Sequence, residues 1–246
     1  MGMQPSRRSF LQKSLGASGV AVASIGLGAC GSSKAAKAVA AVTTTTMPVK
    51  NGDDALARLM DGNVRFASDK PLNQGRDTVR RTEQAEGQTP FAIILGCSDS
   101  RVPPEIVFDQ GIGDLFLVRV AGNTASVPVV VGSIEYAAVT FGCPLLMVLG
   151  HDHCGAVKAA IDTAKTGTPP PGEIPGVVQP IQGAVAKVKD VPAGAMLDAA
   201  IKQNALDTAE LLRSTDSLLT DRVASGKLKV VAAEYTLHTG KVAVLT

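Results

Sequence analysis

The chain has 246 residues, 45% hydrophobic and only 3% aromatic, with no Trp. That length makes one large domain or two small ones. The formal net charge of +2 comes from the N-terminus: Arg7, Arg8 and Lys13 stand in the first 29 residues with no acid, and the remaining 21 basic and 22 acidic side chains leave −1. A nearly neutral body with few aromatics lacks the basic footprint of a nucleic-acid binder.

Residues 6–13 read Ser-Arg-Arg-Ser-Phe-Leu-Gln-Lys, and a run without charge, rich in Gly, Ala and Ser, extends from Ser14 to Ser33. This resembles a twin-arginine export signal. Within the run, Leu27-Gly28-Ala29-Cys30 is similar to a bacterial lipobox, in which a peptidase cuts before the cysteine and the cysteine carries lipid. The resemblance implies a signal peptide over residues 1–29 and lipidation at Cys30. It also implies export by the twin-arginine route and anchoring to a membrane of the cell envelope. A cleaved soluble product and an uncleaved anchor stay open as alternatives, although Gly and Ser make the run a poor spanning helix. Residues 30–50 have no period and include the tract Thr43 to Thr46. They cannot bury a core and read as a disordered tether. The folded domain is expected at 51–246.

The body opens with Asp53 and Asp54 ahead of Ala55, Leu56, Leu59, Met60, Val64 and Phe66. Apolar residues three and four apart behind acids predict an amphipathic helix, expected to project from the body. Apolar runs predict strands at 91–97, 114–120, 144–150 and 228–235, with a short last strand at 242–245. Helical patterns lie between them at 127–141, 154–165, 177–189 and 195–224. Pro169, Pro170 and Pro171 break the chain at a surface loop. Ala, Val, Leu, Ile and Gly dominate these segments, as suits buried parallel strands under close-packed helices. Strands alternating with helices predict an α/β fold: a mostly parallel central β-sheet flanked by helices in three layers, joined by right-handed crossovers.

Two segments then stand out, each just past a predicted strand. One is Cys97-Ser98-Asp99-Ser100-Arg101 and the other is Gly150-His151-Asp152-His153-Cys154-Gly155. In open α/β sheets this carboxyl edge is where ligands bind. The thiolates of Cys97 and Cys154 with the imidazole of His151 make three zinc ligands and leave a fourth position open, as catalytic zinc requires. Cys154 also opens a helix, whose N-terminus favours a thiolate. Four cysteines in an exported chain also invite a disulfide reading, but Cys30 belongs to the lipobox-like segment and Cys143 reads as a buried structural thiol. Asp99 and Arg101 are two apart and can face one side as a bidentate pair. They read either as a structural ion pair or as a catalytic dyad, in which Arg101 holds Asp99 and Asp99 orients the water on the metal. His153 reads as a solvent-facing neighbour. His238 reads as an exposed turn residue, with proton shuttling as its alternative.

Together with Gly62-Asn63-Val64-Arg65-Phe66, Phe116-Leu117-Val118-Arg119, Ala121-Gly122-Asn123 and Gly132-Ser133-Ile134-Glu135-Tyr136, these segments resemble the signature of the β-class carbonic anhydrases. The resemblance covers residues 52–246. It implies Zn2+ as cofactor, interconversion of carbon dioxide and bicarbonate with release of a proton, and a homodimer or tetramer whose N-terminal helix embraces the partner. It also implies that Asp99 can become the fourth zinc ligand in a closed, inactive state. Two departures are visible. Family members with a non-catalytic bicarbonate site build it with a Trp, which this chain lacks. Plant-type members place a Gln near the substrate, where this chain has Gly111, with Gln110 one residue off. Two rival readings use the same fold: hydrolysis of carbonyl sulfide or carbon disulfide, and a catalytically silent bicarbonate- or zinc-binding protein. The intact Asp99–Arg101 pair argues against the silent reading.

Overall fold

The structure is a computed structural model that describes residues 48–214 and 218–245. The twin-arginine segment, Cys30 and the tether as far as residue 47 lie outside the described residues.

Helix α1, Gly52–Ala67, starts where Asn51 accepts hydrogen bonds from the backbone N–H groups of Asp53 and Asp54 at 2.9 and 3.0 Å. The two acids also suit the positive end of the helix dipole. Next come α2, Thr78–Ala85, and the one-turn α3, Pro104–Val107, on either side of β1, Ala92–Gly96. The chain continues through β2, Leu115–Arg119, α4, Pro128–Thr140, β3, Leu145–His151, and α5, Gly155–Thr166. The helical segments α6, Pro175–Val178, α7, Gln182–Lys187, α8, Ala193–Ser214, and α9, Leu218–Ala224, lead to β4, Lys229–Tyr235, and β5, Val242–Val244.

The strand order is β2-β1-β3-β4-β5, with the first four parallel and β5 antiparallel to β4. Every residue of β1 and β3 is buried, which is why both read as unbroken apolar runs rather than as alternations. Their side chains still divide by face. Ile93, Leu95, Leu146 and Val148 pack with α4, α8 and α9. Ala92, Ile94, Leu145, Met147 and Leu149 pack with α1 and α3. A third apolar cluster joins Val157 and Ile161 of α5 to Val178, Ile181, Val185 and Ile201, and it also takes in Cys97 and Cys154.

Three expectations change. The N-terminal helix does not stand away from the body. Ala55 and Leu59 are fully buried among residues of β1 and β3, and Gly62 lets α1 sink onto Phe108, whose carbonyl oxygen lies 1.8 Å from where a Cβ would be. The predicted helix 177–189 is broken into α6, a 3-10 turn at Gln179–Ile181 and α7, because Pro180 has no N–H to donate and crowds the preceding turn. The predicted helix 195–224 divides into α8 and α9. No helix among the described residues is long and apolar enough to cross a membrane.

Candidate metal centre

The β1–β3 register sets Gly96 beside Leu149. Cys97 therefore leaves β1 close to His151, the last residue of β3. Three residues later Cys154 caps α5. The ligand atoms of Cys97, His151 and Cys154 all lie within 4.8 Å of one another, and all three residues are buried. Among the described residues Cys97, Cys143 and Cys154 are free thiols, so the disulfide reading finds no support there. Cys143 lies apart, its buried Sγ donating to the Pro90 carbonyl at 3.1 Å, and burial pushes its thiol up to about 11.

The His151 ring is oriented from behind. Nδ1 lies 2.8 Å from the Asp152 carbonyl oxygen, which can only accept, so Nδ1 carries the proton and Nε2 holds the lone pair. Nε2 is buried and has no hydrogen-bond partner. A buried polar atom without a partner calls for an explanation, and a bound cation among two sulfurs supplies one. Two sulfurs and one imidazole nitrogen suit zinc rather than a harder ion. The donor set therefore fits the metal that the sequence implies.

The electrostatics point the same way. The Cys154 thiol beside it, then His151 and the Gly122 N–H, hold Cys97 below the usual thiol range against the opposing effect of burial. The same neighbour, Cys97, and burial push Cys154 up. Burial disfavours charge on His151, but the Cys97 sulfur, the Asp152 carbonyl and the Asp99 carboxylate together outweigh it and raise the imidazole. Cys97 thus gives up its proton readily, while Cys154 and His151 hold protons that a metal would displace.

Asp99 and Arg101 form the pair expected of them. Asp99 Oδ1 accepts from the Arg101 backbone N–H and from Nε, both at 2.9 Å, and Oδ2 accepts from Nη2 at 2.7 Å. These bonds from Arg101 hold the Asp99 carboxyl well below the usual carboxylate range. Asp99 is therefore ionised at neutral pH and can only accept. Its Oδ2 lies 3.9 Å from His151 Nε2, so the carboxylate stands at the rim of the cluster.

Sequence reasoning missed the residues that brace this loop. Arg119, at the end of β2, donates from Nε to the Cys97 carbonyl at 2.9 Å and from Nη2 to the Asp99 carbonyl at 2.6 Å. Gly122 N–H donates to Cys97 Sγ at 3.4 Å. Both stand in segments that carry the family resemblance, at the end of β2 and in the turn after it, but nothing local in the sequence assigned either a bracing role. Asp152 does more than space its neighbours, since its Oδ1 accepts from the Leu237 N–H at 2.8 Å. His153 is exposed, at a φ of +54°, with Nδ1 3.3 Å from Asp152 Oδ2. His238 is exposed in a turn. Gln110 is buried, accepting from Arg58 Nε at 3.1 Å and donating to the Phe108 carbonyl at 2.6 Å. Both ends of that amide are committed to its own fold.

A family model described as carbonic anhydrase matches residues 92–242. Carbonic anhydrase 2 of Mycobacterium tuberculosis is 38% identical over 195 residues, 79% of this chain and 93% of that protein. The carbonic anhydrase of Mycolicibacterium smegmatis is 36% identical over 196 residues, 80% and 94% of the two chains. Among solved structures, the β-carbonic anhydrase CcaA superposes with a TM-score of 0.61 at 24% identity, covering 78% of this chain and 95% of that one. Tetrameric β-carbonic anhydrases of Sordaria macrospora superpose at 0.62 and 18% identity, covering 78% and 97%. The mostly parallel sheet flanked by helices is thus a fold shared with β-carbonic anhydrases. The chain belongs to the carbonic anhydrase family, as an enzyme with the β-class fold.

Proposed function

We propose that this chain is a zinc enzyme that hydrates carbon dioxide reversibly to bicarbonate and a proton, with Cys97, His151 and Cys154 holding the metal. The observation that carries the reading is the buried His151 Nε2, left without a partner and facing two thiols beside the Asp99–Arg101 pair. Zinc, when bound, supplies a Lewis acid that makes water a competent nucleophile near neutral pH. The chain supplies the rest. Asp99 Oδ2, at the rim of the cluster, would accept a hydrogen bond from the O–H of a water at the open position and so aim its lone pair at the substrate carbon. Arg101 keeps that carboxylate ionised, and keeps it from swinging onto the metal as a fourth ligand. Arg119 fixes the carbonyls of Cys97 and Asp99, so both side chains leave one rigid loop. The apolar cluster around Val157, Ile161 and Ile181 forms a wall against the cysteines, and a dry wall strengthens electrostatics at the site. Stopped-flow hydration of carbon dioxide by the zinc-loaded protein tests this, with carbonyl sulfide as the competing substrate. Absence of hydration with full zinc would refute it, and turnover of carbonyl sulfide alone would move the activity to the rival substrate.

The reading extends to assembly and location. The chain works as a homodimer or tetramer. Val129, Tyr136 and Val139 of α4 are exposed, beside β2, which pairs on one side only. The Sordaria relatives are tetrameric by name. The signal-like segment 1–29 and the lipobox-like Cys30 support export by the twin-arginine route and a lipid anchor in the cell envelope.

A further inference from the structure

The Cys97 sulfur has a neighbour outside the Cys-His-Cys set, the Gly122 N–H at 3.4 Å. Gly122 lies in the turn after β2 with φ at +77°, a conformation only glycine adopts freely. The turn also has no room: a Cβ at this position would lie 2.7 Å from Ile181 Cδ1 and 3.2 Å from Ala156 Cβ. The Gly122 carbonyl oxygen accepts from Asn204 Nδ2 at 2.8 Å. The N–H and the carbonyl belong to successive peptide planes hinged at the Gly122 Cα. Fixing the second plane at a residue packed this tightly fixes the first.

Asn204 itself is unexpected where it stands. It is 2% exposed near the middle of α8, and Ala200, Ile201 and Ala205 around it are buried and apolar. Burying an amide is costly unless it is bonded, and an apolar residue there would serve packing as well. α8 also lies on β3 and β4, at the centre of the sheet. We propose that Asn204 is a positioning residue of the metal centre. Its amide locks the Gly122 turn so that the N–H points at the Cys97 sulfur, seating that thiolate for the metal and moderating its donor strength. This rests on the metal-centre reading above. Groups that hold a metal's ligands in this way typically account for 10- to 100-fold in metal affinity.

The test uses the full chain with Asn204→Leu, which keeps the branched shape of the side chain, is somewhat larger and makes no hydrogen bonds. Asn63→Leu serves as control, since Asn63 is equally buried but bonds to Val107, Gly240 and Val242, away from the cluster. Zinc affinity is measured by competition with a chromophoric chelator, and the sulfur-to-cobalt charge-transfer band is recorded on the cobalt-substituted proteins. Asn204→Leu is expected to bind zinc about 10- to 100-fold more weakly, with the band moved to lower energy. Asn63→Leu is expected to melt earlier while keeping the wild-type band and affinity. An Asn204→Leu protein with an unmoved band and zinc affinity within about twofold of wild type would overturn the proposal, as would an equal shift in the control. If Asn204→Leu does not fold, Asn204→Asp, which turns a donor into an acceptor facing a carbonyl, is read by the same criteria. If neither folds, Asn204 is merely structural and the proposal falls. A wild-type chain that takes up neither zinc nor cobalt would instead refute the Cys-His-Cys assignment.

Discussion

Asp109→Asn tests how the segment after α1 is held to the body. The Asp109 side chain is fully buried. Its Oδ2 accepts from Arg65 Nε at 2.7 Å and the Leu72 N–H at 2.9 Å, and its Oδ1 accepts from the Asn73 N–H at 3.0 Å. Asparagine can keep its oxygen at only one of these positions. With the oxygen toward Arg65, the new amide faces the Asn73 N–H, donor against donor. The new amide, buried and unmet, costs about 1–3 kcal/mol, whereas Asn73 is exposed and its N–H can turn to water. The weakened bond to Arg65 adds roughly 1 kcal/mol, kept at the low end because that guanidinium is 31% exposed. The expected loss is therefore about 2–4 kcal/mol at pH 7, or roughly 4–16 °C in Tm for a body of this size. Burial works against ionisation of Asp109, but the Leu72 N–H, Arg65 and the Asn73 N–H outweigh it and depress the carboxyl. A depressed carboxyl contributes stability that is complete above its unfolded value of about 3.9 and is lost as pH falls through the folded value. Calorimetry of both proteins from pH 7 to pH 3 is thus expected to show the gap between them closing below about pH 4. A gap under about 1 kcal/mol at pH 7, or one that stays constant to pH 3, would refute the reasoning.

Three further outcomes follow from the site. Cys97→Ser is expected to lose most of its zinc by metal analysis, and one zinc per chain in that variant would rule out the assignment. Asp99→Asn is expected to keep zinc and lose roughly 10²- to 10⁴-fold in hydration rate. Arg101→Ala is expected to resemble it by freeing Asp99, so near-normal turnover in both would leave the pair only structural. Cys30→Ala is expected to leave the membrane fraction or accumulate as precursor, and unchanged mass and fractionation would remove the lipid anchor.

How much could be read beforehand depended on how local the cause was. β1 and β3 were readable because strands buried on both faces are plain apolar runs, and their ends moved by one residue. Cys97, His151 and Cys154 were readable because each follows such a run, and Asp99 and Arg101 because they are two residues apart. α2 left no trace, since none of its residues is buried and no apolar stripe marks it. It is held through Arg80, which bonds Ile112 and Asp114 some thirty residues on. α3 is a single turn, too short for a period. Asn204 and Gly122 are 82 residues apart, and no pattern within α8 marks that helix position as facing the cluster.

The register that sets Gly96 beside Leu149 has a kinetic consequence. The two segments that bear the cluster cannot separate without opening the central ladder, whose residues are all buried. Local openings elsewhere, as at the exposed α2, leave that ladder untouched. Escape of a bound ion by separation of its ligands is therefore tied to the rarest openings of the molecule, those that approach global unfolding. Slow amide exchange in β1 and β3 and slow exchange of the ion then become two readings of a single event.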